Sequence, residues 1–257
     1  MTAQEPGSLM TRLREFGSEF FDWAVYRTTF VFASILGLFY IRLRLSGVHC
    51  FPLKGPVLLV SNHQSFIDPL FLGLAMPRRA KYAARSTLIR GVFGRYLLAL
   101  GAIPINREAV SLSTFKTMIG ALGKRDALVY FPEGTRTPDG NLLPLKKGVG
   151  LLVRRAKAPV VICGIAGAYE SWPRRSPIPL PGTMWMHFQS WSLDELSTNS
   201  EEELMESIAR RLKEATDEAY RRREIYMRQM QVPIPRESKN TDSISAEPAG
   251  TLIERLT

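Results

Sequence analysis

The chain has 257 residues, 45% of them hydrophobic, which suits one substantial core with a small appendage and excludes a disordered or fibrous protein. Its 34 lysines and arginines against 24 aspartates and glutamates give a formal charge of +10, which favours anionic partners such as nucleic acid, anionic lipid or phosphorylated substrates. Cys50 and Cys163 are isolated from each other, so neither a disulfide framework nor a metal-binding pair is expected.

At the N-terminus, Leu13, Phe16, Phe20, Trp23 and Ala24 recur at helical spacing with charged residues between them, which predicts an amphipathic helix. It leads into "TTFVFASILGLFYI", 14 residues with no charge between Arg27 and Arg42. A spanning helix needs about 20 apolar residues, so this run reads as too short to cross. Two helices lying in a membrane surface fit the pattern, and so does a helical hairpin packed on the domain's own core. A cleaved leader does not, because acidic residues precede the apolar run and "IRLRLSG" follows it without a small-residue cleavage site.

Beyond "VHCFPLKGP" the pattern is α/β: short β-rich runs, each followed by a polar loop and a helical segment. Strands are expected at 57–61, 80–84, 102–106, 127–131, 159–165 and 184–189. Helices are expected at 69–76, 88–100, 112–122 and 149–156. The nearly continuous apolar runs and the crossover-length connections predict a largely parallel central sheet flanked by helices. A long helix follows from about Ser200, with acids in its first turn and arginines near its end, as the helix dipole favours. The stretch from Val232 is rich in proline, serine and charge and reads as a disordered tail. The expected organisation is N-terminal membrane-associating helices over 1–45, the α/β domain over 46–231 and the tail over 232–257.

Functional groups of a parallel sheet gather at the carboxyl ends of its strands. Here those ends run into "NHQSFIDP", Arg107 and Glu108, "PEGTR" and "AGAYE". In the first, His63 and Asp68 are five residues apart, roughly 140° around a continuous helix, so only a loop brings them together. Pro69 is expected to push Asp68 out of the α region and to sit at the first helical position. Two readings stand: a histidine base oriented by a carboxylate, or a helix cap in which Ser65 and Asp68 form a capping box beside an ordinary loop histidine. Ser65 as a hydrolase nucleophile is weaker, since no G-x-S-x-G occurs.

"FPEGTR" places an acceptor, a hydroxyl and a guanidinium within four residues, with Gly134 available for a left-handed turn. Such a turn holds a phosphate through Arg136 and backbone N–H groups, or is merely a turn with a local Glu133–Arg136 pair. Between Asp68 and Glu108 no acid occurs, yet Arg78, Arg79, Lys81, Arg85, Arg90, Arg95 and Arg107 do, which predicts a basic face beside the site. No nucleic-acid recognition motif accompanies it.

Together and in this order, "NHQSFIDP", "GAIPINR", "FPEGTR" and "APVVICGIAG" resemble the four blocks of the glycerolipid acyltransferase family, over about residues 57–165. The resemblance implies that 46–231 is an acyltransferase domain. In it, His63 deprotonates the free hydroxyl of a lysophospholipid, Asp68 orients the histidine, and the hydroxyl attacks the thioester of acyl-CoA or acyl-carrier protein. That donor is a cosubstrate, and neither a cofactor nor a metal is implied. Glu133, Gly134, Thr135 and Arg136 inherit binding of the phosphorylated acceptor, and Arg107 matches the basic end of the second block. Arg85 falls where many relatives carry lysine, Gln64 and Ser65 line the site by position, and Lys146 and Lys147 add charge near a helix start. The second block departs from the family in having Pro104 and Asn106 where an aromatic–hydrophobic–acid run often stands. The implied product is phosphatidic acid, with another lysolipid acceptor or a non-catalytic lipid-binding protein as the alternatives; the implied setting is the cytoplasmic face of a membrane with anionic lipids as partners, and nucleic acid is not an expected partner.

Overall fold

Strand β2 (Val57–Ser61) is buried at all five positions, and β6 (Val160–Ala166) at all seven. A strand apolar on both faces is stable only at the centre of a sheet covered on both sides. The computed structural model, which describes residues 9–105, 112–123, 126–174, 176–191 and 200–230, puts them there. The remaining strands are β1 (Arg44–Ser46), β3 (Ala80–Arg85), β4 (Ala102–Ile105), β5 (Ala127–Tyr130) and β7 (Trp185–Trp191). Their order is β1-β7-β6-β2-β5-β3-β4. Every pairing is parallel except β6 with β7. The sheet is therefore largely parallel, as the alternating strand and helix pattern requires. The short β1 has two exposed residues of three and no apolar run, so nothing in its sequence announces it.

The helices are α1 (Leu9–Ile35), α2 (Asp68–Ala75), α3 (Gly91–Ala99), α4 (Leu112–Gly123), α5 (Gly148–Ala156), the single turn α6 (Ala168–Ser171) and α7 (Glu201–Gln229). One face of the sheet buries Val57, Leu59 and Val161 with Phe71 and Leu72 of α2. The other buries Leu58, Val60 and Ile162 with Met118 of α4, Leu152 of α5 and Leu212 of α7. Fully burying such a side chain stabilises the fold by about 1.5–3 kcal/mol. In α7 the buried Leu204, Ile208, Leu212, Ala215 and Ala219 form one helical stripe, and Ser200 Oγ accepts the Glu203 N–H at 3.1 Å as its N-cap. A Cβ at Gly164 of β6 would lie 2.0 Å from the Ala215 carbonyl oxygen, so a glycine is required where α7 crosses the sheet.

Two expectations need correction. Instead of two N-terminal helices, α1 is continuous and passes into a π-helical stretch, Leu36–Tyr40, because no breaker separates the amphipathic part from the apolar one. Phe16–Tyr40 is consequently long and apolar enough to cross a membrane by length and composition, which the 14-residue apolar run is not. The segment expected to be helical from Leu88 begins with a 3₁₀ turn, Ser86–Leu88, and α3 starts at Gly91. The proposed tail from Val232 lies outside the described residues.

Candidate active site

The five-residue gap between His63 and Asp68 is closed by a loop that wraps the Asp68 carboxylate. Its Oδ2 accepts the backbone N–H of Gln64 at 2.6 Å and of Ser65 at 2.7 Å, and lies 2.8 Å from His63 Nδ1. A carboxylate already accepting two N–H bonds has only acceptor capacity to offer, so Nδ1 carries the proton and donates it to Asp68. That tautomer leaves Nε2 with its lone pair. The His63 ring stacks on Phe131, with centroids 4.1 Å apart and planes at 20°, which fixes its plane.

The helix-cap alternative is answered at the same atoms. Asp68 is itself the first residue of α2, Ile67 before it is already in the right-handed helical region, and Asp68 turns its side chain back to the loop instead of forward to the helix amides. Asp68 therefore does not sit outside the helix as its place before Pro69 suggested. Nor is there a capping box, because Ser65 Oγ donates to the Trp172 carbonyl at 2.8 Å. The same bond occupies the hydroxyl considered as a nucleophile.

Glu133 is buried and bridges two loops: Oε1 accepts the His63 N–H at 2.7 Å and Oε2 the Leu143 N–H at 2.9 Å. Burial pushes its pKa from 4.5 up to about 7, against the opposing pull of the two N–H groups and with a smaller push from Asp68. The Thr137 N–H donates to the His63 carbonyl at 2.9 Å, so the β5 loop holds the histidine's backbone from two sides. Gly134 takes φ +70° in the turn closed by its N–H to the Phe131 carbonyl, a conformation that favours glycine, and Lys146 packs beside it.

Gln64 is fully engaged within the protein. Its Nε2 donates to Tyr220 Oη at 2.8 Å and to the Gly140 carbonyl at 3.3 Å, and its Oε1 faces the N–H groups of Ala168 and Tyr169. Gln64 and Ser65 are thus joints between the β2 loop and the α6 region. Asn62 is another joint: its amide exchanges hydrogen bonds with both the N–H and the C=O of Ile165, at 2.7 and 2.9 Å.

Thr135 and Arg136 follow Glu133 in the same loop, with the Arg136 guanidinium 5.7 Å from the centre of the exposed Phe66 ring. Arg85 stands at the carboxyl end of β3, on the same rim but two strands from β2. Arg107 and Glu108 lie outside the described residues. The expected basic face is partly dissolved: Lys81 pairs with Asp126, Arg95 with Asp22, and Arg79 lies over Tyr26 while donating to the Asp22 carbonyl. Those partners are distant in sequence, which is why the acid-free stretch looked uncompensated. Sequence reasoning missed Tyr220, Trp172 and Phe66 as neighbours of the site. The first two lie outside the four blocks, and Phe66 carries no polar signal.

An α/β sheet with a histidine–carboxylate pair and an arginine-bearing turn on one rim defines a class, and similarity to known proteins narrows it. Residues 42–166 match the family model described as Acyltransferase. Over 128 residues the chain is 36% identical to 1-acyl-sn-glycerol-3-phosphate acyltransferase alpha from Homo sapiens, a match covering 48% of this chain and 45% of that protein. It is 30% identical over 118 residues to 1-acyl-sn-glycerol-3-phosphate acyltransferase from Bacillus subtilis, covering 45% of this chain and 58% of that one. The matched region thus spans about half the length of these curated relatives. The crystal structure of the LPA acyltransferase PlsC from Thermotoga maritima superposes with a TM-score of 0.63 over 80% of this chain and 82% of that one, at 24% identity, and shares its fold.

Proposed function

We propose that this protein transfers an acyl chain from a thioester, acyl-CoA or acyl-carrier protein, to the free hydroxyl of lysophosphatidic acid, giving phosphatidic acid. The observation that carries the reading is the His63–Asp68 pair, with Nδ1 committed to the carboxylate and Nε2 left as the base. Nε2 takes the acceptor hydroxyl proton as its oxygen attacks the thioester carbonyl. The tetrahedral intermediate collapses, the C–S bond breaks, and the departing sulfur takes the proton back from the imidazolium. His63 is the catalytic residue, Asp68 the residue that sets its tautomer and balances its charge, and Glu133 the residue that holds its backbone. Arg136, with Gly134 and Thr135 shaping its turn, receives the acceptor's phosphate, and Arg85 and Arg107 add positive potential at the rim. Relatives carrying the name 1-acyl-sn-glycerol-3-phosphate acyltransferase support the choice of acceptor.

A membrane surface supplies such substrates. Along α1 and its continuation, Trp23, Phe32, Leu38 and Phe39 are exposed. The Gly182 N–H donates to the Tyr40 carbonyl and Tyr40 Oη to the Pro179 carbonyl, which sets the exposed Ile178 and Leu180 beside the helix end. Apolar surface thereby reaches the loop that carries Trp172 and, across it, Phe66. In this reading residues 1–45 hold the domain to the cytoplasmic face, anionic lipids attract its positive charge, and nucleic acid is not a partner.

The test is release of free thiol from acyl-CoA by purified protein with and without lysophosphatidic acid. Acceptor-dependent release that His63→Ala reduces by about 10²–10⁴-fold is expected. Release without acceptor would mean a hydrolase, and full activity in His63→Ala would reject the mechanism.

A further inference from the structure

The rim beside His63 carries positive charge that its own acids answer only in part, Asp68 acting on Arg136 without pairing with it. Asp68 is committed to His63 and two backbone N–H groups, Glu133 to the His63 and Leu143 amides, Glu170 to Arg223, and Asp139 to Thr137 and Asn141. Among the described residues no carboxylate pairs with Arg136, whose guanidinium lies against Phe66. Phe66 in turn packs on Trp172, with ring centroids 5.9 Å apart. Trp172 is fixed at both ends: its carbonyl accepts Ser65 Oγ at 2.8 Å and its Nε1–H donates to the Ser176 carbonyl at 3.0 Å. Immediately beyond it a tight turn, closed by the Ser176 N–H to the Pro173 carbonyl at 3.0 Å, presents the exposed Arg174. After burial, its positive charge is the next largest influence disfavouring the charge of Arg136, against a smaller favourable pull from Asp68, in keeping with the Arg136–Phe66–Trp172 stack that leads to this turn. Two guanidiniums held near one another repel unless an outside anion joins them, and the paired N–H donors of each match phosphate oxygens.

We infer that Arg174, in the loop between α6 and β7 and outside all four sequence blocks, is the second arm of the anion seat built on Arg136, and that a phosphomonoester dianion bridges the two guanidiniums. This rests on the function proposed above, which brings two such groups to the rim: the headgroup phosphate of lysophosphatidic acid and the 3′-phosphate of an acyl-CoA donor.

The experiment compares wild type, Arg174→Gln and Arg174→Lys in steady-state acyl transfer. The acceptor arm sets lysophosphatidic acid against an uncharged monoacylglycerol, and the donor arm sets acyl-CoA against its 3′-dephospho analogue. If the seat takes the headgroup, Arg174→Gln raises KM for lysophosphatidic acid about tenfold with a smaller change in kcat, and lowers its preference over monoacylglycerol. Arg174→Lys recovers part of the loss. If it takes the donor phosphate, the loss falls on acyl-CoA and not on the dephospho analogue. Unchanged KM and unchanged preference in both arms overturn the proposal, and because Arg174 is exposed a folding defect will not mask that result. Wild-type turnover is the separate control for the acyl-transfer reading. If wild type transfers to no lysolipid, that reading falls, and the seat is then decided by equilibrium binding of lysophosphatidic acid to wild type and Arg174→Gln, where equal affinity rejects it.

Discussion

At His63 the decisive detail is which nitrogen holds the proton, and Asp68 decides it by accepting three hydrogen bonds on one oxygen. Asp68→Asn keeps the shape but places either a single neutral acceptor or an NH₂ donor against three donors. We expect kcat to fall by about 10²–10⁴-fold, as loss of an oriented base implies. Because two of the three bonds order the loop, its thermal stability will fall as well; a variant with normal kcat would show that the carboxylate does not orient the base. Glu133 gives a pH-dependent signature. Its folded pKa, about 7, lies above the unfolded 4.5, so the folded chain keeps this proton longer than the unfolded chain does. The contribution to stability is therefore full below about 4.5 and is lost as pH rises through about 7. Denaturant titrations from pH 4 to 8 will show this slope in wild type and not in Glu133→Gln. That variant also sets an amide donor against a backbone N–H, at a cost of about 1–3 kcal/mol.

At the scale of elements, the site is a set of loops pinned by polar joints on buried strands. Asn62 ties the end of β2 to β6, Gln64 ties the β2 loop to α6 and α7, and Arg223 ties α7 to α6 and to the loop segment that enters β7. Arg223 is buried, with Nε 2.7 Å from the Thr183 carbonyl and its guanidinium 3.0 Å from Glu170. Removing one partner of such a pair leaves the other polar groups unanswered. Arg223→Ala is expected to destabilise the domain by about 3 kcal/mol, read in denaturant unfolding. A loss below about 0.5 kcal/mol, the level of an ordinary surface change, would mean that this joint does not hold α7 in place. The strand expected at 184–189 runs over Trp185–Trp191, and its antiparallel pairing with β6 was not legible, because alternation of burial along one strand says nothing about its neighbour's direction.

At the scale of the whole molecule, exposed apolar side chains stand along α1 and its continuation and in the loop that leads towards the rim of the site. Phe32 is 62% exposed and Phe39 75%, so replacing both by glutamate leaves the core intact. We expect the double variant to bind vesicles of mixed phosphatidylcholine and phosphatidylglycerol at least tenfold more weakly in a sedimentation assay, with unchanged secondary structure. Equal sedimentation would place the membrane contact elsewhere. The two helices read from the N-terminal sequence are one because hydropathy marks where charge stops, and charge can stop in mid-helix without interrupting the backbone hydrogen bonds.

The sequence by itself determined the sheet class, the long helix α7, the four blocks and the residue types at the site, because buried strands, helix-end charges and turn chemistry are written locally. It left His63 suspended between base and loop residue and Asp68 between partner and cap. Only the tertiary structure showed that Asp68 is the partner of His63 and not a cap, since that depends on where one carboxylate points and on what reaches it across space. The same holds for Lys81 and Arg95, whose acids come from Asp126 and Asp22. Short-range pattern fixes which groups are present, and the long-range crossing of β2, β5 and β6 fixes which of them meet.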